Sequence, residues 1–133
     1  MRKYLVFSLV VIGGFGFLLS GCKQDKHLRQ AGTAAVSYYT MLIKGQYDKY
    51  VDGMLSCDNA PKEFREQMKL LVKQFIAREK EENGGIRTVE LIREDLTTDG
   101  LSAEVYLRLK YTSGRSEEVV IPMCYSENIW RMQ

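Results

Sequence analysis

The apolar residues of this chain change their spacing at Gly84-Gly85, and that change limits the folds open to it. Before the two glycines they recur every three or four residues, the helical period. After them they alternate every second residue, the strand period. Leu28, Ala31, Ala35, Tyr38 and Leu42 share one helix face, and Gly45 follows as a left-handed cap. Tyr47, Tyr50, Val51, Met54 and Leu55 make a second, shorter stripe that breaks at Ser56 to Asn59. Pro61 and Glu63 suit the first turn of a third helix, with Phe64, Met68, Leu71, Val72 and Phe75 as its apolar side and Asn83-Gly84-Gly85 as its stop.

Beyond the glycines, Arg87 to Arg93 holds Val89 and Leu91, and Leu101, Ala103, Val105, Leu107, Leu109 and Tyr111 alternate without a fault. Val119, Ile121 and Met123 supply a third run and Ile129 to Met132 a fourth. Thr97 to Gly100, Thr112 to Gly114 and Ser126 to Asn128 turn the chain between runs. Such turns are too short for parallel crossovers, which take a dozen or more residues, so the strands form an antiparallel meander. Helices first and strands second predict one α+β domain, residues 27–133, with three N-terminal helices packed on one face of a four-stranded antiparallel sheet.

The N-terminus carries a different message. Arg2 and Lys3 precede an apolar run from Tyr4 to Leu19, the layout of a secretory signal and short for a membrane span of roughly 20 residues. Leu19-Ser20-Gly21-Cys22 resembles the bacterial lipobox. That pattern implies cleavage after Gly21, lipid on Cys22, a short tether over residues 22–26 and an exported protein held in the bacterial cell envelope, at the outer membrane in a Gram-negative cell. Each buried lipid methylene contributes about 0.8 kcal/mol, so two or three acyl chains hold a protein durably. Removing the signal takes Arg2 and Lys3 with it and balances the 19 Lys and Arg against the 17 Asp and Glu, leaving no charge argument for nucleic acid.

Lipidation of Cys22 leaves Cys57 and Cys124, which in an exported domain either pair or stay as buried thiols. Cys124 is out of phase with Val119, Ile121 and Met123, so a bridge requires a bulge near Pro122 to reset the alternation. Catalytic chemistry is sparse. His27 is the only histidine and sits beside the tether, two distant cysteines give no metal cluster, and no phosphate loop, nucleophile elbow or other cofactor motif occurs. Asp48 and Asp52 on helix two, and Glu90 and Glu94 on strand one, read as solvent-facing charges. Tyr38, Tyr47, Tyr50, Tyr111 and Trp130 fall on inward faces, and buried hydroxyls need partners. Tyr38, Tyr50 and Trp130 are therefore candidate ligand contacts as well as core residues, whereas Tyr106, Val120 and Pro122 form a partly apolar patch on the outer sheet face that would suit a homodimer or protein partner.

The run Ala34-Ala35-Val36-Ser37-Tyr38-Tyr39 leading into Leu42-Ile43-Lys44-Gly45-Gln46-Tyr47-Asp48-Lys49-Tyr50, with Gly84-Gly85-Ile86, Ala103-Glu104-Val105 and the closing Ile129-Trp130-Arg131-Met132, resembles the nuclear-transport-factor-2-like, or cystatin-like, superfamily. The resemblance spans nearly the whole chain after the signal and is nearest to lipoproteins of Bacteroides-type gut bacteria whose domain has no assigned function. It implies helices lying on the concave face of a curved antiparallel sheet, and an envelope setting. It implies no activity. The expectation is a tethered, non-enzymatic binding or interaction module without a cofactor, the alternative being a small-molecule or enzymatic pocket between helix one and the sheet.

Overall fold

A computed structural model describes residues 30–133, so the signal, Cys22, the tether, His27 and Leu28 lie outside the described residues. Three helices, α1 (Gln30–Ile43), α2 (Tyr47–Asp52) and α3 (Lys62–Asn83), precede four strands, β1 (Ile86–Leu96), β2 (Ser102–Tyr111), β3 (Ser116–Ser126) and β4 (Ile129–Met132). The strands pair in chain order, every pair antiparallel. A 3-10 turn at Leu55–Cys57 stands where the stripe after α2 is expected to continue as helix. Gly45 and Gly84 take positive φ at the ends of α1 and α3, where a side chain would be strained.

The sheet is amphipathic because its residues alternate. On β2, Ala103, Val105, Leu107, Leu109 and Tyr111 are all buried, and Ile121, Met123, Trp130 and Met132 extend that face across β3 and β4. Among the described helices α1 lies along it, with Ala31 and Ala35 at 0% exposure pressed into the sheet. Small residues there allow a close approach: a Cβ on Gly32 would meet Leu91 Cδ2 at 2.8 Å.

The expected packing of all three helices on the sheet therefore needs correction. α2 and α3 instead build a second apolar cluster around Leu42, Val51, Cys57 and Val72, with Tyr39, Tyr50 and Met54 bridging it to the first. The physical reason is area. α1 already covers the inner face, so α3 packs on α2 and makes fewer contacts with the sheet than α1 does. Val72 is the sole buried residue of this 22-residue helix, and Leu70 and Leu71 are more than half exposed. Ion pairs fasten the α2–α3 seam, Lys69 to Asp48 at 2.7 Å and Arg65 to Asp52. Both clusters are built from residues between Ala31 and Met132, so a chain starting at Lys23 retains every one of them.

The two layers meet at Gly53. Its carbonyl accepts from the Met132 amide at 2.7 Å, and Met54 forms a parallel bridge to Met132. The Tyr38 ring lies directly on Gly53, while the Tyr38 hydroxyl donates to the Trp130 carbonyl at 2.7 Å. A Cβ on Gly53 would meet three Tyr38 ring carbons at under 3.0 Å. The Gly53→Ala protein is expected to lose about 1–3 kcal/mol, as overpacked cores do, read as a lower urea midpoint with an unchanged slope.

Candidate functional site

Tyr38 and Trp130 fill the space between α1 and the closing strand. Trp130 is 3% exposed, its ring 5.2 Å from that of Tyr125, and Tyr38 directs its hydroxyl to the Trp130 backbone. These two residues pack together as core, whereas the third candidate, Tyr50, packs against both apolar clusters and lines the space between the helices.

The far end of the same layer holds a carboxylate that the alternation misplaces. Residue pairing along β1 and β2 slips at Arg87 and again at Ile92, so two bulges stand in the edge strand. The second resets the phase, pairs Glu94 with inward-facing Val105, and turns Glu94 toward α1. Its Oε1 accepts from the Gly32 amide at 2.9 Å. α1 has no acidic residue of its own in the first turn, so Glu94 supplies from the sheet the acceptor and negative charge that a helix N-terminus favours. Glu90, before the bulge, stays outside with Lys110 at 2.9 Å, and that hydrogen bond holds its carboxyl below the usual range.

The cysteine geometry also departs from the bridged expectation. Cys57 and Cys124 are free thiols. The β2–β3 register runs unbroken from Ser102 opposite Cys124 to Lys110 opposite Ser116, with no bulge at Pro122. Cys124 therefore keeps the outer-face phase, opposite Ser102 and Arg131, while Cys57 is buried among the helices.

On that outer face Tyr106 and Val120 are direct cross-strand partners beside exposed Pro122. The Arg93 guanidinium covers the Tyr106 ring at 3.9 Å. Arg108 reaches Glu90 and Glu118 at 3.7 and 3.5 Å, so the apolar trio is bordered by paired charge.

Among the described residues, one concave feature with an apolar lining is a cleft between α1, α2 and α3. Its volume is about 250 Å³, and Tyr39, Leu42, Tyr50, Met54, Leu71, Val72 and Phe75 line it. The Tyr39 and Tyr50 rings meet edge to face, centroids 5.8 Å apart at 81°. Burial raises both hydroxyls' pKa values, Tyr50's strongly. No lining residue carries a charge. Beside the cleft, the hydrogen bond from Lys69 holds the Asp48 carboxyl below its ordinary range, and Lys73 stands 5.9 Å from the Tyr47 ring. The stripe of Leu28, Ala31, Ala35, Tyr38 and Leu42 is single-sided and leaves Tyr39 outside it. Tyr39 and Leu42 are three residues apart, and together they give α1 its second buried side against the other helices.

The fold resembles that of a provisionally assigned NTF2-like transpeptidase from Campylobacter jejuni, with a TM-score of 0.60 at 10% identity over 75% of this chain and 94% of the other. At that identity the likeness shows an NTF2-like fold and nothing about activity. No family model and no curated protein sequence matches the chain.

Glu94→Ala is expected to cost about 0.5–2 kcal/mol through loss of the α1 cap, against under about 0.5 kcal/mol for Glu90→Ala on the solvated face. Chemical denaturation of both variants checks this, and equal effects would remove the capping role. Asp48 has the opposite kind of dependence, on pH. A depressed folded pKa stabilises the fold above the ordinary carboxyl value of 3.8, and that contribution fades as the pH falls through the lower folded value. Asp48→Asn should therefore lower the urea midpoint slightly at about pH 7 and converge on the parent protein as the pH approaches about 2.

Proposed function

We propose that this chain is a lipid-anchored module of the bacterial cell envelope that works by binding rather than catalysis, and that it presents its helical side to what it binds. One observation carries the choice of side. α3 exposes Leu71 at 52% on the lip of the apolar cleft, whereas the space between α1 and the closing strand is occupied by Tyr38 and Trp130. A half-exposed apolar side chain at the mouth of an apolar concavity suits an interaction site better than one standing alone on a flat surface. The outer sheet face is the weaker surface, since paired charges border the Tyr106, Val120 and Pro122 trio.

Support for the anchor comes from the sequence. The lipobox ends an apolar run too short to span a membrane, and the domain that follows resembles that of Bacteroides-type envelope lipoproteins with no assigned function. Catalysis has no comparable support. The inward carboxylate, Glu94, bonds the α1 backbone at 2.9 Å, and that contact accounts for its position structurally. The transpeptidase name of the structural neighbour belongs to a chain 10% identical, which transfers fold alone.

In growing cells the parent protein should incorporate a fatty-acid probe and sediment with membranes, and Cys22→Ser should do neither. Undiminished label on Cys22→Ser would remove the anchor. A photo-crosslinking residue in place of Leu71 in the anchored protein should form adducts that the same residue in place of Glu90 does not. Equal yields at the two positions would remove the helical side as the working surface.

A further inference from the structure

Lipid on Cys22 gives the domain a short reach. Cys22 and Gln30, the first residue of α1, are eight residues apart, so even a fully extended chain between them spans only about 28 Å. A compact domain of residues 30–133 has a radius of gyration of about 13 Å and is about 33 Å across. The start of α1 therefore stays closer to the bilayer than the domain is wide, and the side opposite that start cannot lie on lipid.

Two contacts fix where α1 starts. The Gly32 amide donates to Glu94 at 2.9 Å, and the Leu91 side chain packs against Gly32. α1 thus begins over the edge strand β1, and its later turns reach β4, where Tyr38 meets Trp130. Leu91 has the inward phase, opposite buried Leu107, yet it is 43% exposed because β1 ends the sheet. Each carboxylate of β1 is engaged: Glu90 turns across the outer face to Lys110 at 2.9 Å, Asp95 pairs with Arg93 at 3.4 Å, and Glu94 caps α1. In the stretch before α1, Lys23, Lys26 and Arg29 outnumber Asp25, a balance that suits an anionic lipid surface.

We propose that the β1 edge around Leu91, together with the first turn of α1, is the side on which the anchored domain rests against lipid. Leu91 supplies an exposed apolar side chain at the bilayer surface, and the basic residues before α1 supply attraction to phosphate headgroups. Leu42, which lines the cleft between the helices, is twelve residues along α1 from Gln30, about 18 Å. The cleft is thereby held off the bilayer, open to a partner from the aqueous side. This orientation rests on the lipid anchor at Cys22, and it adds to the helical-side reading the direction in which that side points.

The test uses the full lipidated chain in vesicles of phosphatidylethanolamine and phosphatidylglycerol that also carry a nitroxide-headgroup phosphatidylcholine, a quencher of nearby tryptophan. Trp130 is 3% exposed and gives a constant background. Thr33→Trp, at an exposed position in the first turn of α1, and Leu91→Trp should each be quenched roughly threefold or more above Lys44→Trp, just past the far end of α1, and above Leu71→Trp. Even quenching at the four positions, stronger quenching at Lys44→Trp or Leu71→Trp, or none at any of them would overturn the proposal. Thr33→Trp decides the matter alone where Leu91→Trp disturbs the packing on Gly32. A parent chain that takes up no fatty acid in cells would remove the anchor and this orientation together, whereas a labelled parent with even quenching would remove the orientation alone.

Discussion

Much of this fold depends on the place where Tyr38 lies on Gly53. That contact brings α1, the end of α2 and the last strand to one point. The Tyr38 hydroxyl holds the Trp130 carbonyl and the Gly53 carbonyl holds the Met132 amide, both at 2.7 Å. β4 has only four residues and lies at the sheet edge, so its pairing to β3 alone would leave it weakly held. Fastening it to the helical layer also covers part of its open edge, through the parallel bridge to Met54. Asp58, just after the 3-10 turn, adds an ion pair to Arg131 at 2.7 Å on the other side of the strand.

From that junction the division into two apolar clusters follows. α1 is the shared wall, with Ala31 and Ala35 toward the sheet and Leu42 toward α2 and α3. A 22-residue helix then has a narrow partner surface, since α2 is only six residues long. The seam uses Met68, Val72, Phe75 and Ile76, and the adjoining flank with Leu71 remains open above Tyr39 and Tyr50. The cleft is thus a consequence of unequal helix lengths as much as of local sequence.

The edge strand β1 illustrates how a small backbone irregularity changes chemistry. One extra residue at Ile92 turns Glu94 from the solvated face to the inner one, where it caps α1. Two bulges in an edge strand also interrupt the regular row of backbone groups that would otherwise invite pairing with another chain. β3 shows the complementary case. Pro122 sits opposite Glu104 without disturbing the register, so the side chains on either side keep their strict alternation and Cys124 stays on the outer face.

The sequence by itself determined the order of elements, the meander and the inner face of β2, because apolar period and turn residues are local properties that each segment carries alone. It also placed the left-handed stops at Gly45 and Gly84, since few residues other than glycine take positive φ without strain. Tertiary structure decided which helix covers the sheet, where β1 bulges, and that Tyr39 rather than Tyr38 faces a cleft. Those outcomes depend on contacts between residues far apart in the chain: Glu94 with Gly32, Tyr38 with Gly53 and Trp130, and Leu42 with Val72. A periodic pattern states which side of an element avoids water, and only packing states what it avoids water against.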